Sequence, residues 1–282
     1  MNYRHAFHAG NFADVVKHLV LTRIIAYLTR KDAPFRVIDT HAGVGLYDLY
    51  ADAAERTGEW LEGIAPLVER GLPEAAAALA APYLAAVRAQ NPDGVLRYYP
   101  GSPFIARHML RGQDRLMALE LHPADAEALK ENFAGDIQTR VTRLDGWAAM
   151  GTHLPPKEKR GLVLVDPPFE EKGEFARMVQ SLEKAHKRWP GGIYAYWYPL
   201  KAPDEVAAYV KALEATGIRK ILRLELRVRR PATPPRLHGT GMIVVNPPFV
   251  LEAEMAALLP ALADLLGEEG RGSWSVDWVA AE

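Results

Sequence analysis

The chain has 282 residues, of which 49% are hydrophobic and 24% are charged, a composition typical of a globular protein with a sizeable core. It contains no cysteine, which excludes disulfides, thiolate zinc sites and cysteine nucleophiles. Its formal net charge of -1 means that binding to nucleic acid would need a local basic surface, because the molecule as a whole does not attract phosphate.

The first segments of the chain predict a helix followed by a strand. The N-terminus has no apolar signal-peptide region, and no run approaches the roughly 18 to 20 apolar residues that span a bilayer, so we expect a cytoplasmic protein. Residues 11–30 place apolar side chains at helical spacing, with Asn11 or Asp14 as the N-cap, and predict an amphipathic helix. Residues 35–39, FRVID, predict a strand that ends in the turn THAGVG.

The remaining chain alternates strands with helices after one helical interruption. Residues 48–97 are rich in alanine and almost free of strand signals, which predicts an inserted helical subdomain within a single domain spanning 1–282. Six further strands are predicted at residues 115–120, 140–145, 161–166, 192–198, 220–226 and 241–246. The alternation predicts an α/β fold with a doubly wound, mostly parallel seven-stranded sheet, in which ligands bind at the carboxyl ends of the strands.

Acidic residues end three successive predicted strands, at Asp39, Glu120 and Asp145. Glu120 can accept hydrogen bonds from both hydroxyls of a ribose, and Asp145, which precedes Gly146, can accept one from an adenine amine. Gly43 lets the backbone approach a nucleotide-like ligand, but the third glycine of the dinucleotide fingerprint is missing, which argues against a bound pyrophosphate. The pattern fits an adenosyl cofactor without phosphates, although each acid alone could instead be a helix cap or a solvated turn.

The most specific local motif is Asp166-Pro167-Pro168-Phe169, after the fourth predicted strand. The two prolines lack backbone donors, which leaves the Asp166 side chain and the Pro167 carbonyl as acceptors for an NH2 group. Phe169 offers an aromatic face for a base taken out of its stack. We therefore predict that Asp166, Pro167 and Phe169 are catalytic. Residues 246–249 repeat the pattern with asparagine, but we favour Asp166 because the fourth strand lies beside the first, at the topological switch point.

Longer segments of the chain resemble one known family. They are YRHAFHAGNFADVVKH, DTHAGVG, AERTGEWLEGIA, LRYYPGSPFIAR, ELHP, DPPF, GIYAYWYP, LEATGIRKIL and GMIVVNPP. In these segments, over its full length, the chain resembles the bacterial 23S ribosomal RNA adenine-N6 methyltransferases of the RlmJ family. The resemblance implies a Rossmann-like class I methyltransferase fold with an inserted helical subdomain. It also implies S-adenosyl-L-methionine as cofactor and methylation of the exocyclic N6 amine of an adenine in 23S ribosomal RNA, either naked or partly assembled, and we expect a monomer.

The resemblance also implies roles for individual residues. With Asp39 and Gly43 from the strand-end pattern, the predicted cofactor-binding residues are Lys17, His18, Asp39, His41, Gly43, Ser102, Glu120, Asp145, Gly146 and Asp166. The residues predicted to contact RNA are Tyr3, His5, Lys17 and Phe169. The family's usual aromatic after the two prolines is tyrosine, so Phe169 should keep the stacking face and lose a phenolic hydrogen bond. We expect no metal site, because the histidines lack a recognisable ligand spacing.

Some alternatives remain open at the level of sequence. The loop Arg227–Arg236, RVRRPATPPR, could contact the RNA backbone or could simply be a solvated loop. A DNA adenine-N6 methyltransferase would share the acceptor motif but should carry a module that reads duplex bases, whereas the insertion here is small and not basic. A small-molecule N-methyltransferase and a cofactor-binding protein without catalysis are two further possibilities.

Overall fold

The structure is a computed structural model that describes residues 5–234 and 236–282. The helices in this part of the chain are α1 Phe12–Thr29, α2 Asp52–Thr57, α3 Ile64–Glu69, α4 Glu74–Ala89, α5 Ser102–Met109, α6 Pro123–Asn132, α7 Gly146–Thr152, α8 Glu174–Arg188, α9 Pro203–Ala215 and α10 Leu251–Leu266. The strands are β1 Arg36–Asp39, β2 Leu46–Asp48, β3 Tyr98–Pro100, β4 Arg115–Glu120, β5 Thr139–Arg143, β6 Gly161–Val165, β7 Ile193–Leu200, β8 Ile221–Arg227, β9 Gly239–Val245 and β10 Ser273–Ala280. None of these helices is long and apolar enough to cross a membrane.

One large sheet organises the molecule, with the strand order β10-β8-β9-β7-β6-β1-β4-β5. The five neighbouring strands β5, β4, β1, β6 and β7 are parallel, whereas β9 runs antiparallel to both β7 and β8. Helices cover both faces, and each face has its own cluster of buried apolar side chains. The strand order reverses beside β1, so the carboxyl ends of β1, β4, β5 and β6 border one crevice. The predicted Rossmann-like class I methyltransferase fold is confirmed.

The sheet has eight strands, so the predicted number of seven is wrong. The eighth strand, β10, was not predicted because its sequence pattern is weak. This strand pairs antiparallel with β8 at the edge of the sheet, and none of its residues is fully buried. Trp274 and Trp278 stay substantially exposed, so the strand lacks the clean alternation that marks a half-buried strand. The two-stranded ribbon of β2 and β3 was also missed, since each of its strands has three residues.

Helix α1 begins as predicted but is not amphipathic. The Asn11 side chain caps it by accepting hydrogen bonds from the backbone amides of Ala13 and Asp14, at 2.9 and 3.0 Å. Fifteen of its 18 residues are buried, because α1 packs on the sheet at β6, β7 and β9 and is covered on its other side by α4, α5 and α10. A helix enclosed on all sides has no solvent-facing stripe, so its polar residues are buried together with its apolar ones. Lys17 and His18 are therefore buried as well.

Residues 48–97 are mainly helical and contribute to this cover. They contain α2, α3, α4 and a short 3-10 turn at Glu59–Glu62. Helix α4 packs against α1, α5 and α10, so the segment shares the core on that face of the sheet. Its description as a separate inserted subdomain stays a prediction.

Candidate active site

A cavity of about 500 Å³ opens at the carboxyl ends of β1, β4, β5 and β6. The predicted residues that line it are His5, Lys17, His18, His41, Gly43, Ser102, Glu120, Asp145, Gly146 and Asp166. Asp39 and Pro167 are buried and do not reach its surface, and Phe169 packs against other aromatic rings. Tyr3 lies outside the described residues. The structure thus brings most of the predicted site together, while the role of each residue stays a prediction.

The turn after β1 holds a carboxylate at the floor of this cavity. Gly43 has a φ of 59°, and its amide donates a hydrogen bond of 2.9 Å to Glu120 Oε2. The amide of His122 donates to Glu120 Oε1 at 2.8 Å. Burial raises the pKa of Glu120, and these two backbone donors oppose the rise. A side chain at residue 43 would lie 2.2 Å from the Tyr47 hydroxyl, so glycine is needed both for the backbone angle and for the close approach.

A second carboxylate lies at the start of α7. Asp145 is the N-cap of this helix, and its Oδ1 accepts a hydrogen bond of 2.9 Å from the amide of Trp147. Its Oδ2 lies 3.7 Å from the guanidinium of Arg177, which also lies 5.3 Å from the centre of the Trp147 ring. The edge of that ring contacts His41, with 5.3 Å between ring centres. Together these side chains form one aromatic and charged wall of the cavity.

Asp166 follows β6 and is held by a buried lysine. The Nζ atom of Lys17 donates hydrogen bonds to Asp166 Oδ2 and, at 2.7 Å, to Asp14 Oδ1. Asp14 Oδ2 accepts further hydrogen bonds from Gly10 N at 2.9 Å and from His5 Nε2 at 3.0 Å. The N-terminal turn, helix α1 and the Asp166 loop therefore meet in one ionic cluster on the cavity wall.

The charges in this cluster support one another. Burial alone would lower the pKa of Lys17, but the carboxylates of Asp14 and Asp166 raise it well above its usual range, so the ammonium stays charged. Burial would likewise raise the pKa of Asp14, but His5 and Lys17 hold it well below its usual range. Among the described residues, no three His, Asp or Glu side chains form a possible set of metal ligands.

The loop after Asp166 has an unusual backbone. Phe169 has a φ of 51°, a left-handed conformation that bulky residues rarely adopt and that is concentrated at functional sites. Its ring contacts Phe175 and Trp197 edge to face, with ring centres 5.1 and 5.6 Å apart. In this arrangement Pro168, rather than the Phe169 ring, lines the cavity. The stacking role of Phe169 stays a prediction, and these contacts fix where its ring lies.

The second proline-rich loop, residues 246–249, lies at the end of the sheet opposite the cavity, because β9 runs antiparallel to β6 and β7. The Asn246 side chain donates hydrogen bonds of 2.8 Å to the carbonyls of Pro190 and Gly192. These bonds tie the loop to the segment before β7. Asn246 therefore has a local structural role away from the cavity, and Phe249 is 80% exposed.

Asp39 is buried beneath the cavity at the end of β1. Burial raises its pKa to about 6, the neighbouring Ser102 hydroxyl opposes the rise, and the charge of Asp166 adds to it. Its Oδ1 accepts a long hydrogen bond of 3.4 Å from His41 N, and its Oδ2 has no hydrogen-bond partner in the described chain. Asp39 is therefore a buried acid behind the cavity.

The arginine-rich loop is less free than its sequence indicates. Arg229 pairs with Glu62 and Glu268, at 3.2 and 2.9 Å, and its guanidinium lies 5.8 Å from the centre of the Phe12 ring. Arg227 pairs with the buried Glu225, and Arg236 lies 3.7 Å from Glu268. Arg230 is exposed and has no ion pair among the described residues. Any contact of Arg227, Arg229 or Arg236 with RNA would therefore compete with these ion pairs.

Several residues of the site are not predicted from the sequence, among them Asp14, Trp147 and Arg177. The sequence predicts Asp14 only as a possible helix cap, although its spacing of three residues from Lys17 places both side chains on one helix face. Arg177 lies on α8 without any local motif, and only the fold brings it to Asp145 and Trp147. Its role could not be inferred from neighbouring residues.

Comparisons with known proteins agree with this architecture. A family model described as ribosomal RNA large subunit methyltransferase D, RlmJ, matches residues 32–280. Proteins named ribosomal RNA large subunit methyltransferase J are 46% identical in Escherichia coli, over 282 residues, and 45% identical in Haemophilus influenzae, over 284 residues; each alignment covers 100% of both chains. The crystal structure of the Legionella pneumophila protein LPL1258 has a TM-score of 0.88 and 34% identity, and the match covers 96% of this chain and 98% of that one. The chain belongs to the ribosomal RNA large subunit methyltransferase family RlmJ.

Proposed function

We propose that this protein transfers a methyl group from S-adenosyl-L-methionine to the exocyclic N6 amine of an adenine in large-subunit ribosomal RNA. Membership of the RlmJ family supports the substrate class, since relatives with 46% and 45% identity carry ribosomal RNA large subunit methyltransferase names. The observation that carries the proposal is the position of Asp166. Its carboxylate lies on the wall of the cavity, at a proline-rich turn, and Lys17 holds it in place.

The chemistry of the cavity fits S-adenosyl-L-methionine. Carboxylates dominate its lining, and Lys17 is already engaged by two of them, so the site offers little to attract a phosphate. Hydroxyl and amine donors, together with a sulfonium, suit this lining. In the proposed complex Glu120 accepts from the ribose hydroxyls and Asp145 from the adenine amine. His18 Nε2 is buried without a hydrogen-bond partner in the described chain, and it supplies a further polar contact.

The residues of the acceptor loop, which comprises residues 166–169, would orient the substrate amine. When bound, S-adenosyl-L-methionine supplies a methyl group that its sulfonium has already activated. The Asp166 carboxylate accepts a hydrogen bond from the adenine amine and so directs the nitrogen lone pair toward the cavity. As the new nitrogen–carbon bond forms and the sulfur–methyl bond breaks to leave a neutral thioether, the nitrogen would become cationic, and Asp166 would stabilise this charge, accept the proton and pass it to solvent. Lys17 stays charged and keeps the carboxylate in one orientation.

The substrate adenine must leave its base stack to reach this loop, and Phe169 is the proposed stacking partner of the extruded base. Naked or partly assembled ribosomal RNA is the proposed partner, and an enzyme acting on this RNA would work in the cytoplasm. We also propose that the protein acts as a monomer.

The test is a methyl-transfer assay with radiolabelled S-adenosyl-L-methionine. The acceptors are naked 23S ribosomal RNA, assembled large subunits and duplex DNA, and the product is digested to nucleosides and identified. We expect label in N6-methyladenosine from RNA and little from duplex DNA. Label only in DNA, or only in another nucleoside, would contradict the proposal. Free adenosine serves as a fourth acceptor that would reveal a small-molecule methyltransferase.

A further inference from the structure

Three buried side chains form a hydrogen-bonded chain that leads from the helical segment to the cavity. The hydroxyl groups of Tyr83, on α4, and Tyr99, on β3, lie 2.9 Å apart, and the Tyr99 hydroxyl lies 2.7 Å from His18 Nδ1. Tyr83 and Tyr99 are 0% exposed and His18 is 1% exposed. His18 lines the cavity, and its Nε2 has no hydrogen-bond partner in the described chain. A buried imidazole nitrogen without a partner requires one, and the cavity ligand is the available source.

The three hydrogen-bonded side chains, Tyr83, Tyr99 and His18, are all uncharged. Burial lowers the pKa of His18 well below its usual range, so the imidazole is neutral and carries one N–H. Burial also raises the pKa of Tyr83 and of Tyr99 well above the usual range, so both phenols keep their protons. Each group therefore carries one proton that it can donate. The direction of the two hydrogen bonds that link the groups decides whether the proton of His18 is on Nδ1 or on Nε2.

Only one direction satisfies all three donors once a ligand in the cavity accepts from His18 Nε2. If Tyr83 donates to Tyr99 and Tyr99 donates to His18 Nδ1, the single N–H of the imidazole is at Nε2 and is available to the cavity ligand. In the reverse direction His18 donates to Tyr99 and Tyr99 donates to Tyr83, and the Tyr83 proton then has no acceptor among the described residues. A buried hydroxyl proton left without an acceptor is costly, so the first direction is favoured.

From this geometry we propose that Tyr99, supported by Tyr83, is a positioning residue that fixes His18 as the Nε2–H tautomer, so that His18 donates a hydrogen bond to the carboxylate of the cofactor's amino-acid group. This inference rests on the proposed function, because it takes S-adenosyl-L-methionine as the ligand. The two tyrosines do not touch the ligand in this scheme. They act by deciding which nitrogen of His18 is the donor.

The carboxylate is the acceptor that the remaining cavity fits best. Ser102 lines the same cavity and is the first residue of α5, and the N-terminus of a helix favours an anion through its free amides and its dipole. The amine and hydroxyl donors of the ligand have Asp145 and Glu120 as acceptors. The carboxylate is the one anionic group of this cofactor, and a neutral Nε2–H donor can pair with it while the ammonium of Lys17 stays engaged with Asp166.

The test compares two ligands that differ in this group. S-Adenosylhomocysteine carries the amino-acid carboxylate, and 5′-methylthioadenosine lacks the whole amino-acid part. We expect Tyr99→Phe to weaken calorimetric binding of S-adenosylhomocysteine by about tenfold or more, the effect of one lost hydrogen bond to a charged group, and to change binding of 5′-methylthioadenosine by less than about threefold. The matched control is Tyr194→Phe. It removes the hydroxyl of another fully buried tyrosine, one that donates to the carbonyls of Ala185 and Trp189 away from the cavity, and it should change both affinities by less than about threefold.

The tautomer itself can be read from nitrogen chemical shifts of 15N-histidine-labelled protein, with the His18 signals assigned from His18→Gln. We expect a protonated Nε2 and an unprotonated Nδ1 in the wild type, and loss of this pattern in Tyr99→Phe. A wild-type His18 protonated at Nδ1, or equal losses of both ligands in Tyr99→Phe, would overturn the inference. If the wild type binds neither ligand, the proposed function fails instead, so the two failures are distinguishable.

Discussion

Lys17 is the residue that joins the N-terminal part of the chain to the acceptor loop. It is buried between Asp14 and Asp166, and removing the cation would leave two carboxylates in the protein without their shared partner. We expect Lys17→Met to lower the free energy of unfolding by about 3 to 5 kcal/mol, the usual cost of breaking a buried ion pair, and to abolish methyl transfer. Urea denaturation measures the first effect. Lys187→Met, at an exposed site on α8, is the control, and a loss below about 1 kcal/mol for Lys17→Met would contradict the account.

Asp39 should make the unliganded protein less stable as the pH rises. Its pKa lies near 6 in the folded protein against an ordinary value of 3.8, so between these values the folded protein holds a proton that the unfolded chain has released. The free energy of unfolding therefore falls across this window by up to about 3 kcal/mol from this group. We expect Asp39→Asn to match the wild type near about pH 4 and to be more stable above about pH 7. Denaturation at a series of pH values measures the difference, and a constant difference would contradict the assignment.

For single residues, the sequence predicts which side chains at strand ends carry the chemistry of the site better than it predicts which side chains contact them. Residues that end strands, such as Glu120 and Asp166, could be identified because the ends of parallel strands meet at one edge of a sheet. Asp14 and Arg177 lie on helices, where charged residues are common and usually solvated. Arg177 and Asp145 are 32 residues apart in sequence, and Lys17, which joins Asp14 to the site, is 149 residues from Asp166. Only the folded chain reveals them.

At the start of helix α7, close backbone packing sets the position of the helix and of its N-cap Asp145. A Cβ atom at Gly146 would lie 2.2 Å from the carbonyl oxygen of Thr40, on the turn after β1. Gly146→Ala should therefore push α7 away from this turn, displace the Asp145 cap, and cost about 1 to 3 kcal/mol of stability together with cofactor affinity. Thermal unfolding and calorimetry measure the two losses.

Gly151→Ala, on the same helix, is the matched control. Nothing lies within 4 Å of a Cβ atom at Gly151, so alanine should be neutral or stabilise the helix by up to about 1 kcal/mol. Equal behaviour of the two variants would mean that the close contact with Thr40 does not control the position of α7.

Among the elements, the sequence predicts those whose pattern depends on the sheet and fails where a neighbour changes the environment. Strands β4, β6, β7 and β9 are mainly apolar, and β8 alternates apolar with charged residues, so these strands could be located from their patterns. Helix α1 was expected to have a polar face, but α4 and α10 cover that side, and a local pattern cannot reveal the cover. Strand β10 lies at an edge, where few side chains are buried, and its signal is correspondingly weak.

For the whole molecule, topology decides which of two similar loops can be catalytic. The Asp166 loop follows a parallel strand next to β1 and lies at the cavity, whereas the Asn246 loop follows an antiparallel strand and lies at the opposite end of the sheet. The sequence motif is nearly the same in both. The order of the strands favours the first loop from sequence, and the direction of β9 explains why the second one cannot reach the cavity.

The central claim is that Asp166 directs the amine of an extruded adenine. The most direct measurement is the single-turnover rate of N6-methyladenosine formation on ribosomal RNA by the wild type and by Asp166→Asn, at saturating S-adenosyl-L-methionine. The account predicts a rate about a hundredfold or more lower in the variant, with S-adenosylhomocysteine affinity within about threefold of the wild type. An undiminished rate in a folded Asp166→Asn protein would contradict it.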